Sequence, residues 1–249
     1  MYNNLFYDEF YSRALKSKAH SQFCEIVYQI DLCQHGMADK KQLDLMLSYL
    51  HLDQSSTVLD LGCGPGLITN YIYAETGCEI VGIDNSSHAI KYAKNKFETK
   101  DNKIRFIEKD MHDLHYKGDP FSAIISIDTH YFINDFLNWI PRYLTLLQKN
   151  GRFAIFSDEG MGLNDYDETN TRAAETIIGK YLMENGIAFT GVELYKENRD
   201  HWDLKYKTLL KMKQDFQKEG NEFLYDNRMG EAANETRIKG GRYLYILKK

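Results

Sequence analysis

The sequence has 249 residues, of which 43% are hydrophobic, and its formal net charge is −5. This length accommodates one α/β domain with additions and a sizeable core. The acidic balance argues against a nucleic-acid partner held mainly by phosphate contacts, because such a partner requires a basic face. The four cysteines show no C-x-x-C spacing, so we expect reduced thiols rather than a disulfide framework or a zinc site.

No hydrophobic stretch approaches the ~18 apolar residues of a membrane span, and the N-terminal residues lack the pattern of a signal peptide. We therefore expect a cytoplasmic protein with no membrane partner. It is expected to be a monomer or a homodimer.

The first 50 residues are predicted to be helical, with Gly36 ending one helix before another begins. Phe23, Val27 and Ile30 follow the spacing of an amphipathic helix. His35 directly precedes Gly36, and an imidazole beside a flexible glycine suits a lid hinge that carries a titratable group. A simple helix stop is the alternative interpretation.

The stretch from Val58 to Gly66, VLDLGCGPG, has the pattern of a strand followed by a glycine turn. Residues 57–61 are predicted to be a buried parallel strand and residues 67–74 the helix that follows it. Glycines let the backbone pass close to a ligand, and the start of the helix presents unpaired N–H groups to that ligand. This arrangement is the mononucleotide-binding start of a doubly wound sheet.

A second strand is predicted over residues 79–83, and Asp84 follows at its carboxyl end. An acidic residue about 20 positions after the glycine turn can accept hydrogen bonds from ribose hydroxyls. The alternative role is an N-cap for the helix predicted over residues 86–97. Asn85 or Ser86 can provide that cap, so both interpretations can hold together.

The segment DLGCGPG, from Asp60 to Gly66, resembles the first motif of class I S-adenosylmethionine (SAM) dependent methyltransferases, D/E-x-G-x-G-x-G. The dinucleotide fingerprint G-x-G-x-x-G places its third glycine one residue later, where this chain has Leu67. This spacing disfavours an NAD(P) oxidoreductase. The resemblance implies an α/β fold with a Rossmann-like seven-stranded sheet, helices on both faces, a helical cap, and SAM as cofactor.

The third strand is predicted over residues 103–107 and is followed by Asp110 and Met111. The resemblance implies that Asp110 bonds the adenine amino group and that the backbone of Met111 bonds a ring nitrogen. An ordinary surface turn is the alternative. His112 and His115 are three residues apart, but no second cluster completes a metal site, so we expect a polar loop.

The fourth strand is predicted over residues 121–127 and ends in Asp128, Thr129, His130 and Tyr131. Chemistry in doubly wound folds lies at the carboxyl ends of strands, so the acceptor is expected here. Amino-adenine DNA methyltransferases carry N/D-P-P-Y/F at this point. This chain lacks those prolines and has no Pro-Cys pair, which disfavours both DNA-adenine and pyrimidine substrates.

A helix over residues 134–148 and a fifth strand over 152–156 lead to an acidic loop. There, Asp158 and Glu159 together with Asp128 are similar to the magnesium site of catechol-type O-methyltransferases. A solvated loop is the alternative, and we predict no metal.

The C-terminal part is predicted to insert about 40 residues between the last two strands of the sheet. The predicted elements are a helix over residues 169–185, a strand over 187–195, helices over 200–218 and 222–235, and a strand over 242–247. We predict a single domain composed of an N-terminal helical lid (1–40), a SAM-binding core (41–197), a helical cap insertion (198–236) and the last core strand (237–249).

The predicted function is transfer of a methyl group from SAM to an N or O atom of a small-molecule acceptor by in-line displacement. An RNA methyltransferase and a non-catalytic SAM-binding module are the alternatives. A hydroxyl acceptor requires a base, for which His35, His130 and Glu159 are candidates, whereas a neutral amine does not. The predicted cofactor-binding residues are Tyr11, Asp60, Gly62, Cys63, Gly64, Gly66, Asp84, Asn85, Asp110, Met111, Ile127 and Asp128. The predicted substrate-binding residues are Tyr28, Tyr131, Trp202, Tyr206 and Arg228, and packing in the core of the cap is the favoured alternative for Trp202.

Overall fold

A computed structural model describes residues 4–101, 103–113, 116, 118–159, 171–233 and 240–249. The strands are β1 Thr57–Leu61, β2 Glu79–Asp84, β3 Ile104–Glu108, β4 Phe121–Ile127, β5 Leu147–Glu159, β6 Phe189–Glu193 and β7 Gly241–Lys248. They form one seven-stranded sheet in the order β3-β2-β1-β4-β5-β7-β6. Strands β1 to β5 pair in parallel, and β7 runs antiparallel to both of its neighbours.

Helices cover both faces of the sheet, because alternate residues of each strand point to opposite sides. Val58 and Leu59 of β1, for example, belong to two different hydrophobic clusters. Helices α3, α4 and α5 contribute to the first cluster, and α6 and α7 to the second. The helices are α1 Asn4–Ala14, α2 Lys18–Tyr28, α3 Lys40–Leu50, α4 Leu67–Thr76, α5 Ser87–Phe97, α6 Phe136–Thr145, α7 Ile177–Glu184, α8 Tyr195–Lys218 and α9 Glu222–Ala232.

A third hydrophobic cluster joins the first two helices to the last two. Phe10 of α1, Phe23 of α2, Trp202 of α8 and Leu224 of α9 are all buried in it. Segments from the two ends of the chain therefore share one core above the sheet. Within the described ranges, each helix is too short or too polar to span a lipid bilayer.

The predicted fold class is confirmed, whereas several element limits were wrong. β5 begins at Leu147, which pairs with Phe121 of β4, and ends at Glu159, because residues 152–159 pair with β7 on the other side. The helix predicted over 134–148 therefore stops at Thr145, as α6. The helix predicted over 169–185 is α7, preceded by a single 3₁₀ turn at Ala173–Glu175. Thr169, Glu235 and His115 lie outside the described residues.

Candidate functional site

The glycine turn between β1 and α4 requires glycine for conformation and for space. Gly62 and Gly64 have positive φ angles of 74° and 54°. A Cβ on Gly62 would lie 2.5 Å from the side chain of Thr129, and one on Gly64 would lie 2.9 Å from Tyr11 Oη. The backbone N–H groups of Gly62 and Cys63 both donate to the Ile83 carbonyl, which fixes the turn against β2.

Asp84 organises this turn from the end of β2. Its carboxylate accepts hydrogen bonds from Gly64 N at 2.9 Å and from Ser86 N at 2.8 Å. Burial raises the pKa of the Asp84 carboxyl above its ordinary value, with these hydrogen bonds opposing the shift. The predicted cap of the following helix is made by Ser86, whose Oγ accepts from Ala89 N at 3.1 Å. Asp84 is thus available to a ligand, as the sequence predicts, although its ribose contact stays a prediction.

A cavity of about 160 Å³ lies over the glycine turn, enclosed by α1, residues 32–38 and the ends of β2 and β4. Nine of the twelve predicted cofactor residues line it. They are Tyr11, Gly62, Cys63, Gly64, Asp84, Asn85, Met111, Ile127 and Asp128.

Three predicted cofactor residues lie outside the cavity lining. Asp60 faces α4, where its Oδ2 accepts a hydrogen bond from Thr69 Oγ1 at 2.6 Å. Gly66 packs against β3, and a Cβ there would lie 2.6 Å from the ring of Phe106. Asp110 turns back on its own loop, with His112 N and Nδ1 at 2.8 Å and 2.7 Å from its Oδ1. Contact of these three residues with the cofactor stays a prediction.

Protonation of Asp60 is expected to make the stability of the protein depend on pH. Burial raises the pKa of this carboxyl to about 7. An unfolded aspartate titrates near pKa ~3.9, so between about pH 4 and pH 7 the folded protein holds a proton that the unfolded chain has released. Stability therefore falls as the pH rises through this window, by up to about 4 kcal/mol.

Asp60→Asn, which still accepts the Thr69 hydroxyl, is expected to flatten this slope in urea unfolding measured across the window. Asp119→Asn, at an exposed position, is the control; equal slopes in wild type and Asp60→Asn would contradict the expectation.

Aromatic rings cover the cavity from the lid side. Tyr7 of α1 contacts His35 at a ring-centroid distance of 5.1 Å and Phe132 at 5.7 Å, and all three residues line the cavity. Sequence reasoning chose Tyr131 rather than Phe132. The 3₁₀ turn at His130–Phe132 places Phe132 at the cavity, while Tyr131 Oη accepts a hydrogen bond from Asp158 N. A short turn leaves no periodic signal that identifies the inward residue.

Residues Gln34 to Met37 form a strap across the cavity, which is held against the end of β4. A Cβ on Gly36 would lie 2.4 Å from Asp128 Oδ2, so glycine permits a very close approach here. Met37 N donates to the same oxygen at 2.7 Å. Gln42 adds a second contact, because its side-chain amide donates to the Met37 carbonyl at 3.3 Å.

Arg242 of β7 neutralises the acidic residues at this edge. Its fully buried guanidinium bonds both carboxylate oxygens of Asp128 and reaches Asp158 Oδ1 at 3.1 Å. Burial opposes ionisation of Asp128, but Arg242 holds the pKa of this carboxyl below its ordinary value. Glu159 accepts instead from Tyr245 Oη and Ile177 N, both at 2.9 Å. The guanidinium of Arg242 therefore lies between the two aspartates that the magnesium comparison requires as ligands. Among the described residues, no group of three metal-ligating side chains is found.

Of the three predicted bases, His35 alone lines the cavity. His130 is buried beneath it, with Nε2 at 3.2 Å from Ser157 Oγ, and burial lowers its pKa to about 4. The carboxylate of Glu159 accepts hydrogen bonds from Tyr245 and Ile177 and does not line the cavity. The geometry therefore leaves His35 as the candidate that a bound acceptor can reach.

None of the predicted substrate residues lines this cavity. Tyr28 is fully buried, and within the described part of the chain its hydroxyl has no hydrogen-bond partner. Trp202 and Tyr206 line a separate surface cavity on α8. Arg228 is buried behind the strap and donates to the carbonyls of Gln34 and His35. Arg228 therefore holds the backbone of residues that line the cavity and does not line it itself.

Known proteins share this sequence pattern and this fold. Residues 58–151 match the family model described as "Methyltransferase domain". The sterol 24-C-methyltransferase of Kluyveromyces lactis is 27% identical over 121 residues, which are 48% of this chain and 32% of that enzyme. The chain thus spans about a third of the length of the curated relatives it matches.

Two solved structures have the same fold over nearly the whole chain. The cyclopropane synthase MmaA2 from Mycobacterium tuberculosis aligns with a TM-score of 0.69 at 17% identity, covering 98% of both chains. The mycolic acid cyclopropane synthase CmaA1, solved with SAH (S-adenosylhomocysteine) and CTAB, aligns with a TM-score of 0.69 at 16% identity. It covers 96% of this chain and 98% of that one.

The strand order and the glycine turn at the carboxyl ends of β1 and β2 define a Rossmann-like domain that binds a nucleotide-type ligand. The matched family model shows that residues 58–151, which contain this turn, form a methyltransferase domain. The predicted resemblance to methyltransferases is confirmed over these residues, and methyltransferases of this family use S-adenosylmethionine as cofactor.

Asp84→Ala is expected to weaken binding of S-adenosylhomocysteine by roughly 10- to 150-fold, as loss of a charged hydrogen-bond acceptor costs about 1.5–3 kcal/mol. The variant also removes the acceptor of Gly64 N, so both the ligand and the turn lose a contact. Calorimetric titration measures the change. Asp119→Ala, at an exposed position, is the control, and an unchanged affinity in Asp84→Ala would remove the proposed ribose contact.

Proposed function

We propose that this protein transfers the methyl group of SAM to an N or O atom of a small-molecule acceptor held under the lid. One observation carries the proposal: a partly enclosed cavity with aromatic rings in its lining lies directly over the glycine turn and has His35 in its wall. The cofactor and the candidate base therefore share one space. The helical lid and cap, α1, α2, α8 and α9, are proposed to close that space.

The residues present fit the cofactor. Gly62 and Gly64 provide a cradle that any Cβ would fill, and Asp84 offers carboxylate oxygens at the carboxyl end of β2. Met111 and Asn85 line the same cavity, where the adenine and ribose are expected by resemblance. Bound SAM supplies a methyl carbon already activated by its sulfonium, so little covalent chemistry is left to the protein.

The chain contributes orientation, exclusion of water and a proton acceptor. Placing the acceptor in line with the methyl carbon contributes up to ~7–11 kcal/mol. Tyr7, Tyr11 and Phe132 cover the cavity and exclude water that would weaken local electrostatic interactions. As the acceptor's lone pair bonds the methyl carbon, the bond to sulfur breaks and S-adenosylhomocysteine leaves. The acceptor's proton passes to His35.

A small acceptor fits this site better than RNA does. Along its described lining, the cavity contains no lysine or arginine. An RNA substrate requires a basic surface beside the cofactor, and the chain carries a net charge of −5. Measurement of turnover distinguishes an enzyme from a SAM-binding module without catalytic activity.

An alkene carbon of a lipid is the second candidate acceptor. The printed names of the matched relatives, sterol 24-C-methyltransferase and cyclopropane synthase, favour it. The aromatic rings of Tyr7 and Phe132 suit it as well, because aromatic faces stabilise a positive charge that develops on carbon. A proton is again released, so His35 has the same role in both reactions.

The test combines ligand binding with turnover. Thermal unfolding with SAM, S-adenosylhomocysteine or NADPH is expected to show stabilisation by the two adenosyl ligands alone, by ~2.7 kcal/mol at 100 times Kd. Transfer of a radiolabelled methyl group is then measured with panels of amines, phenols and unsaturated lipids. Turnover with one panel identifies the acceptor class. Binding of SAM without turnover on any panel would favour the non-catalytic module.

A further inference from the structure

We propose that Glu231 of α9 is a positioning residue for His35. In this arrangement the N–H at His35 Nε2 donates to the Glu231 carboxylate, and the unprotonated Nδ1 accepts the proton of the methyl acceptor. The inference rests on the proposed function of His35 as the base. It extends that function by assigning the tautomer and orientation of the ring to a helix near the other end of the chain.

The contact joins two side chains that are nearly buried. His35 Nε2 lies 3.6 Å from Glu231 Oε1, and the two side chains are 13% and 5% exposed. Catalytic hydrogen bonds are often long before substrate binds and shorten in the complex. A carboxylate that accepts the proton of one imidazole nitrogen fixes which nitrogen is left to act as a base.

Two buried cations lie beside the Glu231 carboxylate and favour its ionised form. Lys205 Nζ lies 2.9 Å from Glu231 Oε2, and Arg228 lies 3.7 Å from the same oxygen. Both cations have 0% side-chain exposure. A buried carboxylate without such partners takes up a proton and ceases to be a fixed negative acceptor. With two cations beside it, the Glu231 carboxylate is a negatively charged acceptor for the N–H of the His35 imidazole.

The same helix also fixes the backbone that carries the ring. Arg228 donates to the His35 carbonyl at 2.8 Å and also bonds the Gln34 carbonyl. Arg228 and Glu231 are three residues apart and so lie on one face of α9. One helical face thus holds the strap by its backbone and His35 by its side chain.

The titratable and charged groups that lie around His35, the strap and Glu231 come from five parts of the chain, so a pH effect must be assigned by comparing variants. They are Tyr7 of α1, His20 of α2, Asp128 after β4, Lys205 of α8, and Arg228 and Glu231 of α9.

The test variant is Lys205→Met/Glu231→Gln. It removes one positive and one negative charge, so the net charge of the buried cluster is unchanged while the carboxylate beside His35 is lost. Asp203→Asn/Lys207→Met is the matched control, because it removes an exposed ion pair from the same helix. ¹⁵N NMR of the imidazoles, with His35 assigned by His35→Gln, reports tautomer and titration in the S-adenosylhomocysteine complex.

The wild type and the control are expected to show His35 protonated at Nε2. In the test variant, the tautomers are expected to mix, and the midpoint of His35 titration is expected to fall by roughly 0.5 to 1 pH unit, because a nearby carboxylate favours the imidazolium. The turnover number is expected to fall by roughly 10- to 100-fold with KM for SAM unchanged. An unchanged tautomer and midpoint in the test variant would overturn the inference.

A second variant protects the test against misfolding. Glu231→Asp keeps the buried charge but withdraws the carboxylate by one methylene, and it is expected to shift the tautomer and turnover in the same direction by less. If neither NMR signature moves in Glu231→Asp, the inference is wrong. Failure of the proposed function is distinguishable: the wild type would then show no turnover while its NMR signatures still respond to these variants.

Discussion

His35→Gln is expected to lower the turnover number by about 10²–10⁴-fold, the usual contribution of a general base. Glutamine is similar in size but takes up no proton near neutral pH. The aromatic contacts of Tyr7 and Phe10 with this ring are lost, but the glycine turn and Asp84 are untouched. Affinity for S-adenosylhomocysteine is therefore expected to be retained. Steady-state kinetics with an acceptor found in the panels of amines, phenols and unsaturated lipids measure turnover, and calorimetry measures affinity.

His88→Gln is the matched control for this substitution, because His88 is exposed on α5. It is expected to leave turnover and binding unchanged. Turnover of His35→Gln within about threefold of the wild type would show that the acceptor needs no base. A neutral amine is such an acceptor.

Arg242→Met is expected to lower the free energy of unfolding by about 3–5 kcal/mol, the cost of leaving a buried charge unpaired. Asp128 and Asp158, whose side chains are 8% and 10% exposed, would lose their shared cation. The strap is affected too, because Met37 N and Gln42 both bond members of this cluster. Urea unfolding at neutral pH measures the loss.

The deficit of Arg242→Met is expected to shrink as the pH falls. In the wild type, Arg242 holds the pKa of Asp128 below its ordinary value, so the pair stabilises the protein at neutral pH and this contribution is lost in acid. In the variant, a buried and unpaired Asp128 favours its protonated form, and acid relieves the penalty. A deficit that is constant or grows toward acid would contradict this account.

Arg105→Met is the control for loss of an ion pair. Arg105 and Glu79 lie 3.2 Å apart with side chains 40% and 45% exposed. An exposed pair of this kind contributes about 0–1 kcal/mol. A loss in Arg242→Met that is no larger than that of the control would show that burial of the charges is not decisive.

The cofactor half of the site was predictable because its residues are local. The strand, the glycine turn and the helix are contiguous in sequence, and Asp84 follows at the end of the next parallel strand. Parallel strands bring their carboxyl ends to one edge, so the position of Asp84 beside the turn follows from topology alone. Nine predicted cofactor residues therefore line the cavity, whereas Asp60 and Gly66 were included for the motif rather than for their orientation.

The acceptor half was not predictable to the same degree. Sequence reasoning named Arg228 and Trp202 for contact with substrate, because large amphipathic side chains on a cap suit a pocket. In the structure, Trp202 fills the core of the cap, and Arg228 holds the strap from behind. Phe132 and Cys33, which do line the cavity, carry no pattern that separates them from ordinary core residues.

By itself, the sequence determined the α/β class, the methyltransferase resemblance of residues 58–151 and most of the residues that line the cavity, because periodicity and a short glycine motif are encoded within a few tens of residues. The tertiary structure alone decided how the lid is held. Met37 and Asp128 are 91 residues apart, Asp128 and Arg242 are 114, and His35 and Arg228 are 193. Contacts between such distant segments depend on the order of the strands in the sheet and on how the helices of the lid and cap pack together. A single buried pair leaves no repeating pattern in the sequence.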